Sequence, residues 1–129
     1  MTPPAMLWTG RVFSGLFVLF MLGASIAPKL LHMPVADETL VALGWQPGNA
    51  FWIGLIELAC VVLYVIPRSS ILGAVLATAL LGGAMATHIR VESPLFSHIL
   101  FSVYLGLFMW GGLWLRDARL RALFPLAKG

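Results

Sequence analysis

Charge is scarce in this chain, with 8 Lys and Arg and 5 Asp and Glu making up only 10% of 129 residues. A soluble domain of this size covers itself with more charge than that, so an ordinary water-soluble class is excluded. Cysteine is nearly absent. With Cys60 alone, neither an intramolecular disulfide nor a CxxC relay can form, and any electrons that pass must use a bound cofactor or a partner's thiols. His32, His88 and His98 do not make a metal-ligand spacing such as HExxH, so no metal is expected. Also missing are a glycine-rich phosphate loop, a nucleophile elbow, an internal repeat and any low-complexity run. The pI near 9.6 would fit nucleic acid, yet the positive charges are dispersed rather than gathered in one aromatic-interleaved patch. No nucleic-acid partner is expected.

What the chain has instead is apolar length. Hydrophobic residues make up 60% of it, and the mean hydropathy is +0.97. Four apolar stretches, at residues 7–28, 49–66, 71–88 and 95–115, each approach or reach the ~20 residues that a helix needs to cross a bilayer core. The expected fold is therefore all-α, an antiparallel bundle of four transmembrane helices forming a single domain over residues 1–129 in a lipid bilayer. Arg11, Lys29, Arg68, Arg90, Glu92 and Arg116 all fall at or near the ends of these stretches. Arg11, Arg68, Arg116, Arg119, Arg121 and Lys128 would share one side of the membrane, against Lys29 and Arg90 on the other, which places both termini in the cytoplasm. Trp8, Trp110 and Trp114 would then sit near the inner interface, and Trp45 and Trp52 near the outer one. A competing reading makes the first stretch a cleaved signal peptide ending at Ser25-Ile26-Ala27. Against it, the run is long for an apolar core of about 7–15 residues, and Pro28 would follow the cut.

The connections are short except residues 29–48, where Asp37, Glu38, Leu40, Val41 and Leu43 predict a small helix over 35–43 lying on the outer surface. Residues 67–70 form a turn so tight that the second and third helices must be antiparallel neighbours. Residues 116–124, rich in Arg, read as an interfacial helix against an anionic leaflet. In the third stretch, Ala79, Gly83 and Thr87 are spaced for close helix contact, preferably inside the monomer and alternatively in an oligomer; Gly106, Gly111 and Gly112 offer the same in the fourth.

Glu57 breaks the pattern, because it lies about two turns inside the second stretch, where a carboxylate is costly unless paired, hydrated or protonated. Gly54, Glu57, Cys60, Val61 and Tyr64 share one side of that helix. Partners are expected among Lys29, His32, His88, Arg90 and His98 in the outer half. Two readings stay open. In one, Glu57 with Lys29 or Arg90 clamps helices together; in the other, Glu57 and a histidine form a proton-handling or ligand-binding site. His88 and Arg90 are two apart, diverge by about 200° on a regular helix and cannot share a face unless it unwinds at Ile89.

Several of these segments together resemble the DoxX-like family of small bacterial membrane proteins: Arg11-Val12-Phe13-Ser14-Gly15, Lys29-Leu30, Glu57-Leu58, Ile66-Pro67-Arg68, the run from Gly82-Gly83-Ala84-Met85-Ala86 through Thr87-His88-Ile89-Arg90, and Trp114-Leu115-Arg116-Asp117. The resemblance implies a four-helix protein of the bacterial cytoplasmic (inner) membrane, related to DoxD-type subunits of thiosulfate:quinone oxidoreductases. It further implies an accessory role in a quinone-linked or thiol/sulfur redox complex, with a redox protein or a second copy as partner. Lys29, Glu57, His88 and Arg90 would then form the polar site for a quinone headgroup or a small oxidised-sulfur substrate. Glu57 or His88 would exchange protons, and Lys29 and Arg90 would attract an anion or an electron-rich carbonyl. The alternative is a non-catalytic scaffold or a small-solute carrier. Scaffold ranks above carrier, because neither repeated halves nor broken helices are evident.

Overall fold

A computed structural model describes residues 2–127, so Lys128 lies outside the described residues. Helices account for 80% of the chain, and no strand occurs among the described residues. We number them α1 (Pro4–Leu30), α2 (Pro34–Ala42), α3 (Asn49–Val65), α4 (Ser70–Arg90), α5 (Leu95–Arg116) and α6 (Ala118–Leu123). α1, α4 and α5 are long and apolar enough to cross a membrane. α3 has 17 residues and, at 1.5 Å per residue, extends about 26 Å, short of the ~30 Å core. Large apolar side chains such as Trp8, Leu19, Phe96 and Leu107 cover the outside, which suits lipid rather than water.

The long helices form a ring in which α1 packs on α5, α5 on α4, α4 on α3, and α3 on the C-terminal part of α1. Thr2 meets Arg121 at one end, here the proximal end, with Arg121 Nη2 2.9 Å from Thr2 Oγ1. The other, distal end carries α2.

At the proximal end the core is tight. Phe17, Tyr64, Met109 and Leu113 are fully buried there. Backbones approach closely at glycines: a Cβ on Gly10 would meet the Gly112 carbonyl oxygen at 2.6 Å, and one on Gly73 would collide with the Tyr64 backbone. The Tyr64 hydroxyl donates to the Met109 carbonyl at 2.6 Å and lies 2.7 Å from Ser14 Oγ. The tight turn of residues 67–70 is held by Ser69 and Ser70, whose hydroxyls donate to the Leu63 and Tyr64 carbonyls. Beyond α5, Asp117 caps α6 by accepting from the Arg119 backbone N–H at 2.9 Å. The Arg119 side chain also bonds this carboxyl and holds it below its ordinary range. Arg121 Nη1 donates to the Trp114 and Leu115 carbonyls, which α5 leaves without helical partners at its end. α6 is therefore shorter than the expected 116–124 segment, and one of its arginines is spent on capping.

Two sequence expectations need correction. The first apolar stretch does not end at Pro28. Proline removes an N–H and its ring crowds the carbonyl four residues back, but the turn widens over Met21–Ile26, where the Ala27 N–H reaches the Leu22 carbonyl, and the helix runs on to Leu30. The strip Ala79, Gly83 and Thr87 does not pack against another helix. A Cβ added at Gly83 would find nothing within 4 Å, as at Gly82 and Gly106.

Candidate functional site

The widened turn of α1 sets up the site, because it carries Ser25 and Lys29 round to the side that faces α3. Gly54 makes room for them: a Cβ there would lie 2.8 Å from Lys29 Cβ. Glu57, one turn further along the same face of α3, is 6% exposed and meets Lys29 Nζ at 2.8 Å through Oε1. Ser25 Oγ donates to Glu57 Oε2 at 2.6 Å. Lys29 Nζ donates in turn to Ser25 Oγ at 2.7 Å and to the Ser25 carbonyl at 3.3 Å. All three ammonium hydrogens thus have acceptors, and both carboxylate oxygens have donors. Closure of this triangle is what makes a buried charge pair tolerable.

Next to the triangle lies a cavity of about 490 Å³, between the distal halves of α1, α3, α4 and α5 and under α2. Its walls are mostly apolar, including Leu40, Leu80 and Phe101, and its polar lining includes Ser25, Lys29, Glu57, His88 and His98. The His88 and His98 rings stand 5.5 Å apart, edge to face. Each uses Nδ1 locally, His88 with Ser93 Oγ at 2.9 Å and His98 with Ser97 Oγ at 2.7 Å. Nε2 of each ring makes no side-chain or backbone hydrogen bond among the described residues.

Of the four residues proposed from sequence, the structure brings Lys29, Glu57 and His88 to this cavity and leaves Arg90 out. α4 stays helical through Arg90, so the divergence of His88 and Arg90 is realised. Arg90 instead donates from Nη2 to the Leu43 carbonyl at 3.0 Å and lies against Gly44, whose φ of +93° turns the chain after α2. It fastens α2 over the distal end. His32 is also outside, stacked on Phe51 with ring centroids 5.1 Å apart. No group of three His, Cys, Asp or Glu side chains converges among the described residues.

Two features escaped sequence reasoning. Ser25 was read only as a small residue before a cleavage point; its place four residues before Lys29, on the same helical face, was the available signal. The distal ends of α1 and α4 both close with a non-glycine residue in the left-handed region, His32 at φ +55° and Glu92 at φ +57°. The Met33 and Ser93 N–H groups then bond back to the Pro28 and His88 carbonyls, a helix ending that usually signals itself by glycine.

The DoxX-like family model matches residues 12–112, most of the chain and all of the cavity. The chain belongs to the DoxX-like family. No curated protein and no solved structure matches it. Ser25, Lys29, Glu57, His88 and Arg90 of this DoxX-like protein fall inside the matched span, whereas Arg11 and residues 114–117, which also suggested the family, fall outside it.

Proposed function

We propose that this DoxX-like protein is an accessory subunit of a quinone-linked or thiol/sulfur redox complex in the bacterial cytoplasmic membrane, and that the distal cavity holds a quinone headgroup. In this reading the chain crosses the membrane four times with both termini cytoplasmic, as the distribution of Lys and Arg favours. Local thinning of the bilayer accommodates the short α3. The observation that carries the reading is the cavity itself. Its volume of about 490 Å³ lies in the ~300–1,000 Å³ range of small-molecule sites, and it combines apolar walls with a few convergent polar groups.

The roles differ from those assigned on sequence alone. Because Lys29 and Glu57 saturate each other and Ser25, they fix the wall and its charge rather than grip the ligand. The histidines, with Nε2 uncommitted, donate to a quinone carbonyl. Reduction to the quinol takes two electrons from a redox partner and two protons, for which His88 and His98 form a relay. Arg90 has no part in it. The scaffold reading draws support from the closed Ser25–Lys29–Glu57 triangle, which clamps α1 to α3 without any ligand. A short-chain quinone analogue separates the two. It should raise the melting temperature of the purified protein, His88→Ala should reduce the gain, and Arg90→Ala should leave it intact. A flat response to the analogue, with a known quinone-binding protein responding in parallel, would favour the scaffold.

A further inference from the structure

Two of the arginines at the proximal end, Arg11 and Arg116, face one hollow that the redox reading does not use. Gly10 lies against Gly112, Leu115 and the Arg116 backbone, at 2.6 to 3.1 Å from a built Cβ. This contact sets the second turn of α1 on the last turn of α5 and puts Arg11 and Arg116 at one hollow of about 600 Å³. Arg116 is held in place, with Nε donating to Ser14 Oγ at 3.1 Å and the guanidinium 5.5 Å above the Tyr64 ring. Arg11 is exposed and rests over Trp8 at 4.8 Å. Neither has a carboxylate partner among the described residues, where the ion pairs are Lys29 with Glu57 and Arg119 with Asp117. The rest of the hollow is apolar, with Leu7, Val18, Leu19 and Val65.

The hollow lies at the end of the bundle where α1 begins and α5 ends. α1 has 27 residues, about 40 Å of helix against a ~30 Å hydrocarbon core. About 10 Å of helix therefore extends beyond that core, and we place Arg11, near the start of α1, and Arg116, the last residue of α5, at the level of lipid headgroups. Cations at that level above an apolar wall match a phosphodiester above acyl chains.

We infer that Arg11 and Arg116, brought together by the Gly10–Gly112 contact, form a binding site for the phosphate of an anionic glycerophospholipid whose acyl chain lies along Leu19, Val18 and Val65. This site is separate from the distal cavity and stands whether or not a quinone binds there. Arg11 and Arg116 lie just outside residues 12–112, which the family model matches.

The test uses the purified full-length protein in neutral detergent, titrated with phosphatidylglycerol, phosphatidylcholine or inorganic phosphate, with lipid retention read by native mass spectrometry. Phosphatidylglycerol should be retained in preference to phosphatidylcholine. Arg11→Gln should weaken its retention about fivefold, the equivalent of the ~1 kcal/mol that one basic side chain contributes at an anionic surface. Arg116→Gln should do the same, and Arg116→Lys should recover part of the loss. Arg119→Gln, at an exposed arginine paired with Asp117, should change nothing. The site is refuted if phosphatidylcholine is retained equally, if inorganic phosphate displaces the lipid at matched concentration, or if Arg119→Gln weakens retention as much as Arg11→Gln. Among the described residues the Arg11 side chain makes no hydrogen bond or ion pair and rests over Trp8, so its variant keeps the test decisive even where Arg116→Gln disturbs Ser14 and Tyr64.

Discussion

At the proximal end of the bundle the helices touch backbone to backbone, through Gly10 on Gly112 and Gly73 on Tyr64; at the distal end they stand apart around a cavity of about 490 Å³. Both ends contain glycine, serine and ionisable residues in an apolar chain. The difference lies in what those residues meet. Proximal Gly10, Gly73 and Gly112 permit backbone contact, whereas distal Gly82 and Gly83 face open space and distal Gly54 makes room for the Lys29 side chain. Proximal Ser14 and Tyr64 bond each other and the Met109 carbonyl, whereas the distal histidines keep Nε2 uncommitted beside the cavity. Small residues thus allow two outcomes, close packing or a hollow, and spacing alone does not choose between them.

The largest effect is expected at the buried distal charge pair, Lys29 with Glu57. Glu57→Gln leaves Lys29 charged and without its carboxylate in an apolar setting, which should cost about 3–5 kcal/mol. Unfolding of the purified variant in detergent measures this, and adding Lys29→Met should restore much of the loss. A small change in Glu57→Gln would mean that the distal end does not depend on the pair.

A smaller loss is expected at the proximal end. Gly112→Ala puts a Cβ onto Ser14, whose backbone N lies 2.7 Å away, and overpacking of that kind costs about 1–3 kcal/mol. The same substitution at distal Gly82 should have the opposite sign. Nothing lies within 4 Å of a Cβ there, and alanine is favoured over glycine in a helix interior by about 1 kcal/mol. Melting temperatures of the two variants in one detergent check the contrast; equal destabilisation would erase the distinction between the two ends.

Much of this architecture was legible in the sequence, because hydrophobic length and end-loaded charge constrain helices strongly in lipid. The expected 95–115 segment and α5 (Leu95–Arg116) differ by one residue. Glu57 was recognisable as an anomaly needing a partner, and Lys29 was among the partners named. What the sequence hid was rotation and local backbone geometry. The widened turn at Met21–Ile26 rotates Ser25 and Lys29 into place, and proline alone does not announce whether a helix ends or adjusts. Arg90 stands apart from the cavity for a related reason. It lies two residues from His88, and its target is a backbone carbonyl at Leu43, a kind of partner that leaves no trace in residue identity. Ser14 and Tyr64 were hidden because a hydroxyl inside an apolar run looks alike whether it bonds its own helix or a neighbour.

The cavity is best tested by filling it. Gly83 lines it and has open space beyond its Cα, so Gly83→Phe should fold while occupying the site. With a short-chain quinone analogue at a hundredfold excess over Kd, the unmodified protein should gain about 2.7 kcal/mol of stability, and Gly83→Phe should gain almost none. No gain in the unmodified protein, or an equal gain in Gly83→Phe, would contradict a ligand site in the distal half.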